Sequence, residues 1–232
     1  MPTDTKGNVP TAIGWRTTLS IQMSYPILQY PAAISTTGPA PDGWRRVGLA
    51  APAGVLPPPG AATEAQELAY VENANAVANA SPELKAFTEA MAAKGGMNIW
   101  MQFAKQYRHE AGFVRGWLGT GLMAVAMGVT ALKTQTAKNE YDRLRPYQID
   151  GNIKPIGKIP TDKSYPSGHS SAAYAAATVL GALWPMRAYE FNFWARQVAL
   201  SRMSAGVHFP SDVQTGAILG TKIGIQAASI MV

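Results

Sequence analysis

Apolar positions recur at helical spacing through most of the chain after residue 60, and no long segment there alternates with the two-residue period of a strand. Capping signals support this pattern, because Thr63 stands three residues before Gln66 and Ser81 directly precedes Pro82. The pattern predicts helices near residues 64–79, 82–93, 97–109, 112–140, 168–184, 188–203 and 211–230. One longer loop, 146–166, interrupts them, so the predicted fold class is an all-α, single-domain helical bundle.

Residues 1–60 have a different composition, rich in Pro, Gly, Ser and Thr, with the helix-breaking stretches "TTGPAPDGW" and "GVLPPPG". They predict an irregular segment, with a short strand around Leu19 to Met23. Trp15 and Trp44 are aromatic anchors that would hold this segment on the core. The predicted organisation is therefore an irregular N-terminal segment, 1–60, packed on a helical domain, 61–232.

Composition favours a compact protein, because 47% of the 232 residues are hydrophobic and only 15% are charged. The net charge is +6, yet the basic residues are scattered and form no run longer than Arg45-Arg46. A small anionic substrate at a focused basic site is therefore favoured over nucleic acid as a partner. The chain has no cysteine, which excludes disulfides and thiolate metal sites.

The uncharged stretch from Gly116 to Leu132 has about the minimum length of a membrane span, but its glycines and threonines favour a buried core helix. The C-terminal apolar run is broken by Lys222 and Gln226. These features predict no transmembrane span. The start "MPTDTKGNVP" lacks the pattern of a signal peptide, which fits a cytoplasmic protein or the mature form of an exported one. The scarcity of charge is compatible with a homo-oligomer.

A first charged cluster lies in "KNEYDRLRP", where Lys138 and Arg145 are seven residues apart. That spacing predicts one helix face with the two cations two turns from each other, both able to reach one anion. Pro146 then ends or bends the helix. Taken alone, this cluster would fit a solvated helix end better than an anion site.

A second cluster lies in "SYPSGHSS", at the start of a predicted helix. The free backbone N–H groups of a helix N-terminus favour an anion. Gly168 would let the backbone approach a ligand, Ser167 adds a hydroxyl donor, and His169 can supply or accept a proton. The alternative is a serine cap beside an incidental histidine.

A third cluster lies in "SRMSAGVHFPSD", in which Arg202 precedes a glycine-containing turn and Asp212 follows His208 by four residues. An aspartate at that spacing can accept the Nδ1 proton of His208 and leave Nε2 free as a nucleophile. The alternative is a structural aspartate that caps the last helix.

Together, the three clusters place two of the three histidines beside a lysine, two arginines and a serine–glycine pair. Such a set suits phosphoryl transfer without a metal, because that chemistry depends on positioning and on neutralising the equatorial oxygens. A metal site built from His169, His208 and Asp212 would leave the cations without purpose. A Ser167 nucleophile would need a preceding strand, which the pattern lacks. His109 lies outside every cluster and is predicted to be structural or at the surface.

The pattern K-x6-R-P, then P-S-G-H, then S-R-x5-H-x3-D resembles the signature of the type 2 phosphatidic acid phosphatase superfamily. That superfamily includes the bacterial class A non-specific acid phosphatases and the vanadium haloperoxidases. The segment "VLPPPG" at residues 55–60 resembles the proline-rich entry to the acid phosphatase core. The resemblance implies a helical bundle of the acid phosphatase/vanadium haloperoxidase type, in which residues 61–232 are the catalytic domain.

The resemblance also implies roles for the matched residues. His208 would attack phosphorus and become phosphohistidine, Asp212 would orient it, and His169 would protonate the leaving oxygen. The phosphoryl oxygens would be held by Lys138, Arg145, Ser167, Gly168 and Arg202. The implied activity is that of an acid phosphatase acting on phosphomonoesters, with phosphotransfer to alcohols as an extension, an acidic pH optimum and no required cofactor.

The haloperoxidases are the alternative, because the same pocket could hold vanadate with His208 as its ligand. Their usual length is much greater, which favours the phosphatase, for which vanadate would be an inhibitor. The resemblance further implies a periplasmic or secreted location, although the sequence leaves the cytoplasm open. Substrate preference is expected to depend on Tyr141, Tyr147, Tyr165 and the 146–166 loop.

Overall fold

The computed structural model describes residues 57–92 and 97–231. Within these ranges the chain is helical and contains no strand, so the predicted all-α fold is confirmed. The helices are α1 Ala61–Ala80, α2 Pro82–Ala92, α3 Met97–Ala111, α4 Phe113–Tyr141, α5 Pro146–Ile149, α6 Gly168–Leu183, α7 Ala188–Ser204 and α8 Pro210–Ala228, with a 3₁₀ turn at Pro185–Arg187. The predicted strand near Leu19, together with almost all of the predicted N-terminal segment, lies outside the described residues.

The region between α4 and α6 differs from the prediction in two ways. The helix that carries Lys138 ends at Tyr141, because Asp142 has a left-handed backbone with φ of 48°. Arg145 therefore lies beyond the helix, and the prediction that Lys138 and Arg145 share one helix face is wrong. Pro146 opens the short helix α5, which falls inside the predicted 146–166 loop.

Helix α6 is the centre of the bundle and packs against α4, α7 and α8. Its contact with α8 is close, because Gly216, Gly220 and Gly224 recur every fourth residue on one face of α8. A Cβ at these three glycines would lie 2.0–2.6 Å from atoms of the α6 segment. The glycines thereby let the two helices approach backbone to backbone. At their N-terminal ends the Ser167 amide donates to the Asp212 carbonyl at 2.9 Å.

An aromatic cluster lies at the other end of α6, about 24 Å along the helix from Gly168 at 1.5 Å per residue. Phe103 of α3 meets Phe191 of α7 edge to face, with ring centroids 4.9 Å apart. The Arg187 guanidinium lies 4.5 Å from the centre of the Trp184 ring and forms an ion pair with Glu190 at 2.7 Å. This end of the bundle is held by packing and contains none of the predicted site residues.

The inner face of α4 contains several buried glycine and threonine residues. The Thr120 hydroxyl donates to the Gly116 carbonyl at 2.9 Å, and the Thr130 hydroxyl donates to the Ala126 carbonyl at 2.6 Å. A Cβ at Gly119 would lie 2.6 Å from the Tyr107 ring, so the neighbouring helix needs the glycine. Both threonines and two of the four glycines in the stretch Gly116–Leu132 therefore lie on the packed face, where the threonine hydroxyls bond to backbone carbonyls and not to water.

The outer face of α4 is apolar and exposed. Six of its large apolar side chains are more than half exposed: Phe113 (81% exposed), Val114 (68%), Trp117 (56%), Leu118 (57%), Val125 (60%) and Leu132 (72%). We call these six residues the α4 outer face. Such a continuous apolar surface is unusual on a protein surrounded by water.

The prediction that the chain has no transmembrane span is wrong. Counted together with α5, the helical stretch Phe113–Ile149 is long and apolar enough to cross a membrane by length and composition, and only 39% of its most apolar window is buried in the protein. The interpretation of Gly116 to Leu132 as a core helix holds for the inner face alone. The error arose because the prediction gave weight to the glycines and threonines of this stretch, whereas both threonines lie on the packed face and large apolar side chains lie on the exposed one.

Candidate active site

The structure brings the three predicted clusters together at helix ends. Lys138 lies in the last turn of α4, Arg202 in the last turn of α7, and Asp212 in the first turn of α8. The Arg145 Nη1 atom lies 3.2 Å from His208 Nε2, which joins the first cluster to the third. The second cluster contacts the third through the hydrogen bond from the Ser167 amide to the Asp212 carbonyl.

The protonation of His208 follows from its two neighbours. Its Nδ1 lies 3.2 Å from Asp212 Oδ2, and its Nε2 faces a guanidinium of Arg145, which can only donate hydrogen bonds. Nδ1 therefore carries the proton and Nε2 carries the lone pair. Burial, together with Arg145 and Lys138, lowers the pKa of His208 well below its usual value, so the ring is neutral.

Asp212 is fully buried and uses both carboxylate oxygens. Oδ2 accepts from His208 Nδ1, from the Ser164 hydroxyl at 2.5 Å and from the Phe209 amide at 2.9 Å, while Oδ1 accepts from Arg143 Nη1 at 2.6 Å. Burial raises the pKa of Asp212, and Arg143 and these hydrogen bonds oppose that rise. Asp212 is thus both the cap of α8 and the partner of the histidine, the two roles that the sequence presented as alternatives.

All five N–H donors of Arg145 have acceptors. Nε donates to the Asp162 carbonyl at 2.8 Å, and Nη1 faces His208 and donates to the Val207 carbonyl at 2.7 Å. Nη2 donates to Asp162 Oδ1 at 2.8 Å and to the Lys163 carbonyl at 3.1 Å. The guanidinium is therefore fixed in one orientation beside the histidine nitrogen.

Lys138 shares the carboxylate of Asp162 with Arg145. Its Nζ lies 3.3 Å from Asp162 Oδ2 and also donates to the Lys163 carbonyl. The Asp162 side chain is 44% exposed, whereas those of Lys138 and Arg145 are almost fully buried. Burial raises the pKa of Asp162, but the two cations outweigh that effect and the pKa is lowered. The pair of cations thus converges on one anionic group.

Arg202 differs from these cations, because it is 2% exposed and its Nε and Nη1 atoms have no hydrogen-bond partner among the described residues. Burial and the charge of Arg145 lower its pKa to about 10. A buried guanidinium with free donors is costly unless an acceptor satisfies it. The side of the site next to Arg202 therefore favours an anion with hydrogen-bond acceptors.

His169 lies in the first turn of α6, close enough to the cations to be affected by their charge. Burial and the charge of Arg202 lower its pKa to about 3. Ser167 caps the same helix, with its Oγ accepting from the Ser170 amide at 3.4 Å. A Cβ at Gly168 would meet no atom closer than Thr134 Cγ2 at 3.7 Å, so packing does not require glycine there.

Sequence reasoning assigned no role to Arg143, Ser164 or Asp162, all of which contact the predicted site residues. Arg143 stands within the first cluster, two residues before Arg145, and its position in a charged run was the available signal. Ser164 and Asp162 precede the second cluster in the predicted loop. Their contacts depend on how the loop folds back, which the local sequence does not reveal.

The tyrosines and the remaining histidine lie as follows. The Tyr147 hydroxyl donates to the Pro160 carbonyl at 2.9 Å, and the buried Tyr165 hydroxyl lies 2.9 Å from Thr215 Oγ1. Tyr141 packs edge to face on Tyr165. Their role in substrate preference stays a prediction. His109 is exposed on α3, outside the site.

Residues 119–231 match the sequence profile of the PAP2 superfamily, and this part of the chain is a PAP2 superfamily domain. The match includes every predicted site residue. A non-specific acid phosphatase of Providencia stuartii is 33% identical over 94 residues, which are 39% of this chain and 38% of that protein. An undecaprenyl-diphosphatase of Sulfolobus acidocaldarius is 28% identical over 109 residues, 47% of this chain and 53% of that protein. The chain thus matches well under two thirds of the length of these relatives.

Solved structures with the same fold include a bacterial vanadium-dependent iodoperoxidase, with a TM-score of 0.62 and 22% identity over 76% of this chain and 53% of that one. The transmembrane PAP2-type phosphatidylglycerolphosphate phosphatase of Bacillus subtilis has a TM-score of 0.56 and 21% identity over 74% of this chain and 87% of that one. At these identities the likeness concerns the fold. It confirms a bundle of the type found in both PAP2 phosphatases and vanadium haloperoxidases.

Proposed function

We propose that this domain hydrolyses phosphomonoesters through a phosphohistidine formed on His208. The observation that supports this proposal is the fixed tautomer of a neutral imidazole, whose Nδ1–H faces Asp212 and whose Nε2 lone pair faces the cations. A neutral imidazole held in this way is a competent nucleophile, and the surrounding cations would attract and orient a phosphate. Similarity to a non-specific acid phosphatase over 94 residues adds support.

In the first step, Nε2 of His208 attacks phosphorus while the bond from phosphorus to the ester oxygen breaks. The leaving oxygen takes a proton from His169, and the positive charge that develops on the phosphorylated ring is balanced by Asp212. Lys138 and Arg202 neutralise the equatorial oxygens. Arg145 Nη1, which faces Nε2 before the reaction, would transfer that hydrogen bond to a phosphoryl oxygen.

In the second step, a water molecule attacks phosphorus and gives a proton to His169, which the first step left neutral. The bond from phosphorus to Nε2 breaks, inorganic phosphate leaves, and His208 recovers its lone pair. If an alcohol takes the place of water, the same step is phosphotransfer. The Gly168 amide would donate to the phosphate where no side chain blocks its approach.

Because the protein's own cations supply the positive charge, we propose that the reaction needs no metal ion. Purified protein is expected to release phosphate from p-nitrophenyl phosphate in the presence of EDTA. Acid-sensitive, alkali-stable phosphate should be trapped on His208 by rapid quenching and located by mass spectrometry, and the variant His208→Ala should lack it. Hydrolysis without a trapped intermediate, or a requirement for a divalent ion, would contradict the proposed mechanism.

A vanadate-dependent haloperoxidase is the second candidate, favoured by the fold shared with the iodoperoxidase. Vanadate has a charge and shape similar to those of phosphate, so the donors of Lys138, Arg145 and Arg202 fit it, with Nε2 of His208 as its ligand. Bound vanadate would supply the peroxide chemistry. Measuring peroxide-dependent iodide and bromide oxidation with added vanadate, beside phosphate release, separates the two functions.

For the location, we propose a membrane-associated enzyme whose site opens on the periplasmic side. The apolar stretch of α4 and the resemblance to bacterial acid phosphatases support this proposal. Intact cells that express the protein should then hydrolyse a membrane-impermeant phosphate ester at the same rate as lysed cells. Activity that appears only after lysis would place the site in the cytoplasm.

A further inference from the structure

Arg143 lies outside the signature residues but directly contacts the carboxylate that holds the proposed nucleophile. Its side chain is 4% exposed, and its Nη1 donates to Asp212 Oδ1 at 2.6 Å. The other oxygen, Oδ2, remains for His208 and for the donors from Ser164 and Phe209. Arg143 thereby determines which oxygen of Asp212 faces the histidine.

The guanidinium of Arg143 is itself held from several directions. Nε donates to Glu64 Oε2 at 2.9 Å and Nη2 donates to Glu67 Oε2 at 3.2 Å, both from α1. Nη1 also donates to the Ser211 hydroxyl at 2.8 Å. The plane of the group lies over the Phe209 ring, 3.9 Å from its centre. A planar fork with this many partners has one orientation, which lysine could not reproduce.

Glu67 completes the unit by binding the start of α8. Its Oε1 accepts from the Ser211 amide at 2.9 Å, and its Oε2 accepts from the Ser211 hydroxyl at 2.6 Å. Ser211 is the neighbour of Asp212. Helix α1, which contains none of the signature residues, is therefore fastened to the turn that carries the catalytic carboxylate.

On the basis of the proposed phosphohistidine reaction, we propose that Arg143, braced by Glu67, is a positioning residue that keeps Asp212 ionised and its Oδ2 directed at His208. Asp212 must stay charged to balance the positive ring in the intermediate. In a buried site a carboxylate tends to take up a proton, and the adjacent guanidinium opposes this. Arg143 would therefore act on the rate of the chemical step through Asp212 and not through contact with the phosphate.

The groups that face Asp212 determine the direction of the pH effect. Arg143 and His208 contact it directly, Lys138 of α4 and Tyr165 act on it through space, and the carboxylates of α1 reach it through Arg143. Replacing Arg143 by a neutral residue removes a positive charge, which raises the pKa of Asp212. The acid side of the kcat profile should then move to higher pH.

The test compares Arg143→Gln with Arg143→Lys, in steady-state kinetics on p-nitrophenyl phosphate between pH 4 and pH 9. Arg143→Gln should lower kcat by about 10- to 100-fold, the size expected for loss of a buried charged hydrogen bond, with KM within about 3-fold. The acid side of the kcat profile of Arg143→Gln should move to higher pH. Arg143→Lys should recover part of kcat and return the acid side toward that of the wild type, because it keeps the charge but not the fork.

Arg187→Gln is the matched control, since Arg187 also forms an ion pair and lies on an aromatic ring but is at the other end of α6. It should lower the melting temperature and leave the pH profile of kcat unchanged. An unchanged profile in Arg143→Gln, or the same kcat loss in Arg187→Gln, would overturn the positioning role. Should Arg143→Gln fail to fold, an unchanged kcat in Arg143→Lys would overturn it equally.

The same assays separate this inference from the proposed function. A wild-type protein that hydrolyses no phosphate ester and forms no phosphohistidine refutes the proposed function itself. An active wild type that forms phosphohistidine, combined with an unaffected Arg143→Gln, refutes only the role of Arg143. Phosphate affinity, measured by competition, should stay within about 3-fold of the wild type in both Arg143 variants, because neither changes a group that contacts the anion.

Discussion

The buried site and the α4 outer face depart from ordinary protein architecture in opposite directions. In the site, cationic side chains are nearly inaccessible, with Arg145 1% and Arg202 2% exposed. On the outer face, Phe113 and Leu132 are 81% and 72% exposed. Charged groups normally lie outside and large apolar groups inside. The buried Arg202 donors therefore favour binding of an anion, and the exposed apolar side chains of α4 favour apolar surroundings.

Neither region is explained by the stability of the isolated chain. Burying Arg202 costs free energy, because its Nε and Nη1 have no acceptor within the described part of the chain, and so does exposing Trp117 and Leu118 to water. In the proposed function each cost would be offset by a partner from outside the bundle, an oxyanion in the first region and lipid or another apolar surface in the second. A single helix, α4, serves both regions, since Lys138 lies on its inner face near the site.

Among variants of the buried site, His208→Ala is expected to have the largest effect on kcat. Loss of the nucleophile should lower kcat by at least about 1,000-fold, as for other residues that form a covalent intermediate. Phosphate should still bind, because the cations remain. His109→Ala, which changes an exposed histidine, is the control and should behave as the wild type. Phosphate release and competitive inhibition by vanadate measure the two properties, and full activity in His208→Ala would remove His208 from the reaction.

The variant Arg202→Met tests whether the buried Arg202 guanidinium binds the anion. Affinity for phosphate should fall by about 10- to 100-fold, since two charged donors are lost. The melting temperature should rise or stay equal, because an uncompensated buried charge is replaced by an apolar side chain of similar length. A calorimetric scan beside a phosphate titration gives both values. A strong loss of stability would show that Arg202 is a structural cation and would weaken the contrast between the two regions.

The pH dependence of the reaction tests the role of His169 in the site. His169 must be protonated to act as the acid, and its pKa of about 3 means that the protonated fraction falls as the pH rises above that value. A bound dianion would oppose the nearby cations and raise this pKa. The decline of kcat/KM, which reports the free enzyme, should therefore begin at lower pH than the decline of kcat, which reports the complex.

An alkyl phosphate should show this decline more strongly than p-nitrophenyl phosphate, because the alkoxide needs the proton more. His169→Ala should abolish the difference between the two substrates. Identical profiles for kcat and kcat/KM in the wild type would argue against His169 as the acid.

The smallest effect on catalysis is expected from the outer face. The double variant Leu118→Gln and Val125→Gln should keep kcat for a soluble substrate within about 2-fold, because surface changes of this kind act little on a distant site. Its partition into phospholipid vesicles should fall measurably in a flotation assay. Met186→Gln, at a 95% exposed position elsewhere, is the control and should leave partition unchanged. Equal partition of the double variant and the wild type would exclude the outer face as the membrane contact.

The helical bundle could be predicted well from sequence, since apolar spacing and caps are local signals. The predicted helix at 82–93 corresponds to α2, and the predicted 112–140 corresponds to α4 within one residue at each end. The end of α4 was harder, because a left-handed Asp142 has no strong local signature and the periodic pattern continues beyond it. The site residues could be predicted as a group, since their unusual types stand at helix ends.

What the sequence by itself determined is the inventory of chemistry and its placement along the chain: a proline before Ser167, a histidine four residues before Asp212, and cations near them. Contacts across more than about 60 residues were decided by the tertiary structure alone. Arg143 meets Glu67 only after α1 packs at the start of α8, and Arg145 meets His208 only after α4 ends early. The two faces of α4 were likewise decided by packing. Local spacing specifies which side chains lie on the same face of a helix. Which of its faces is buried depends on the helices that pack against it.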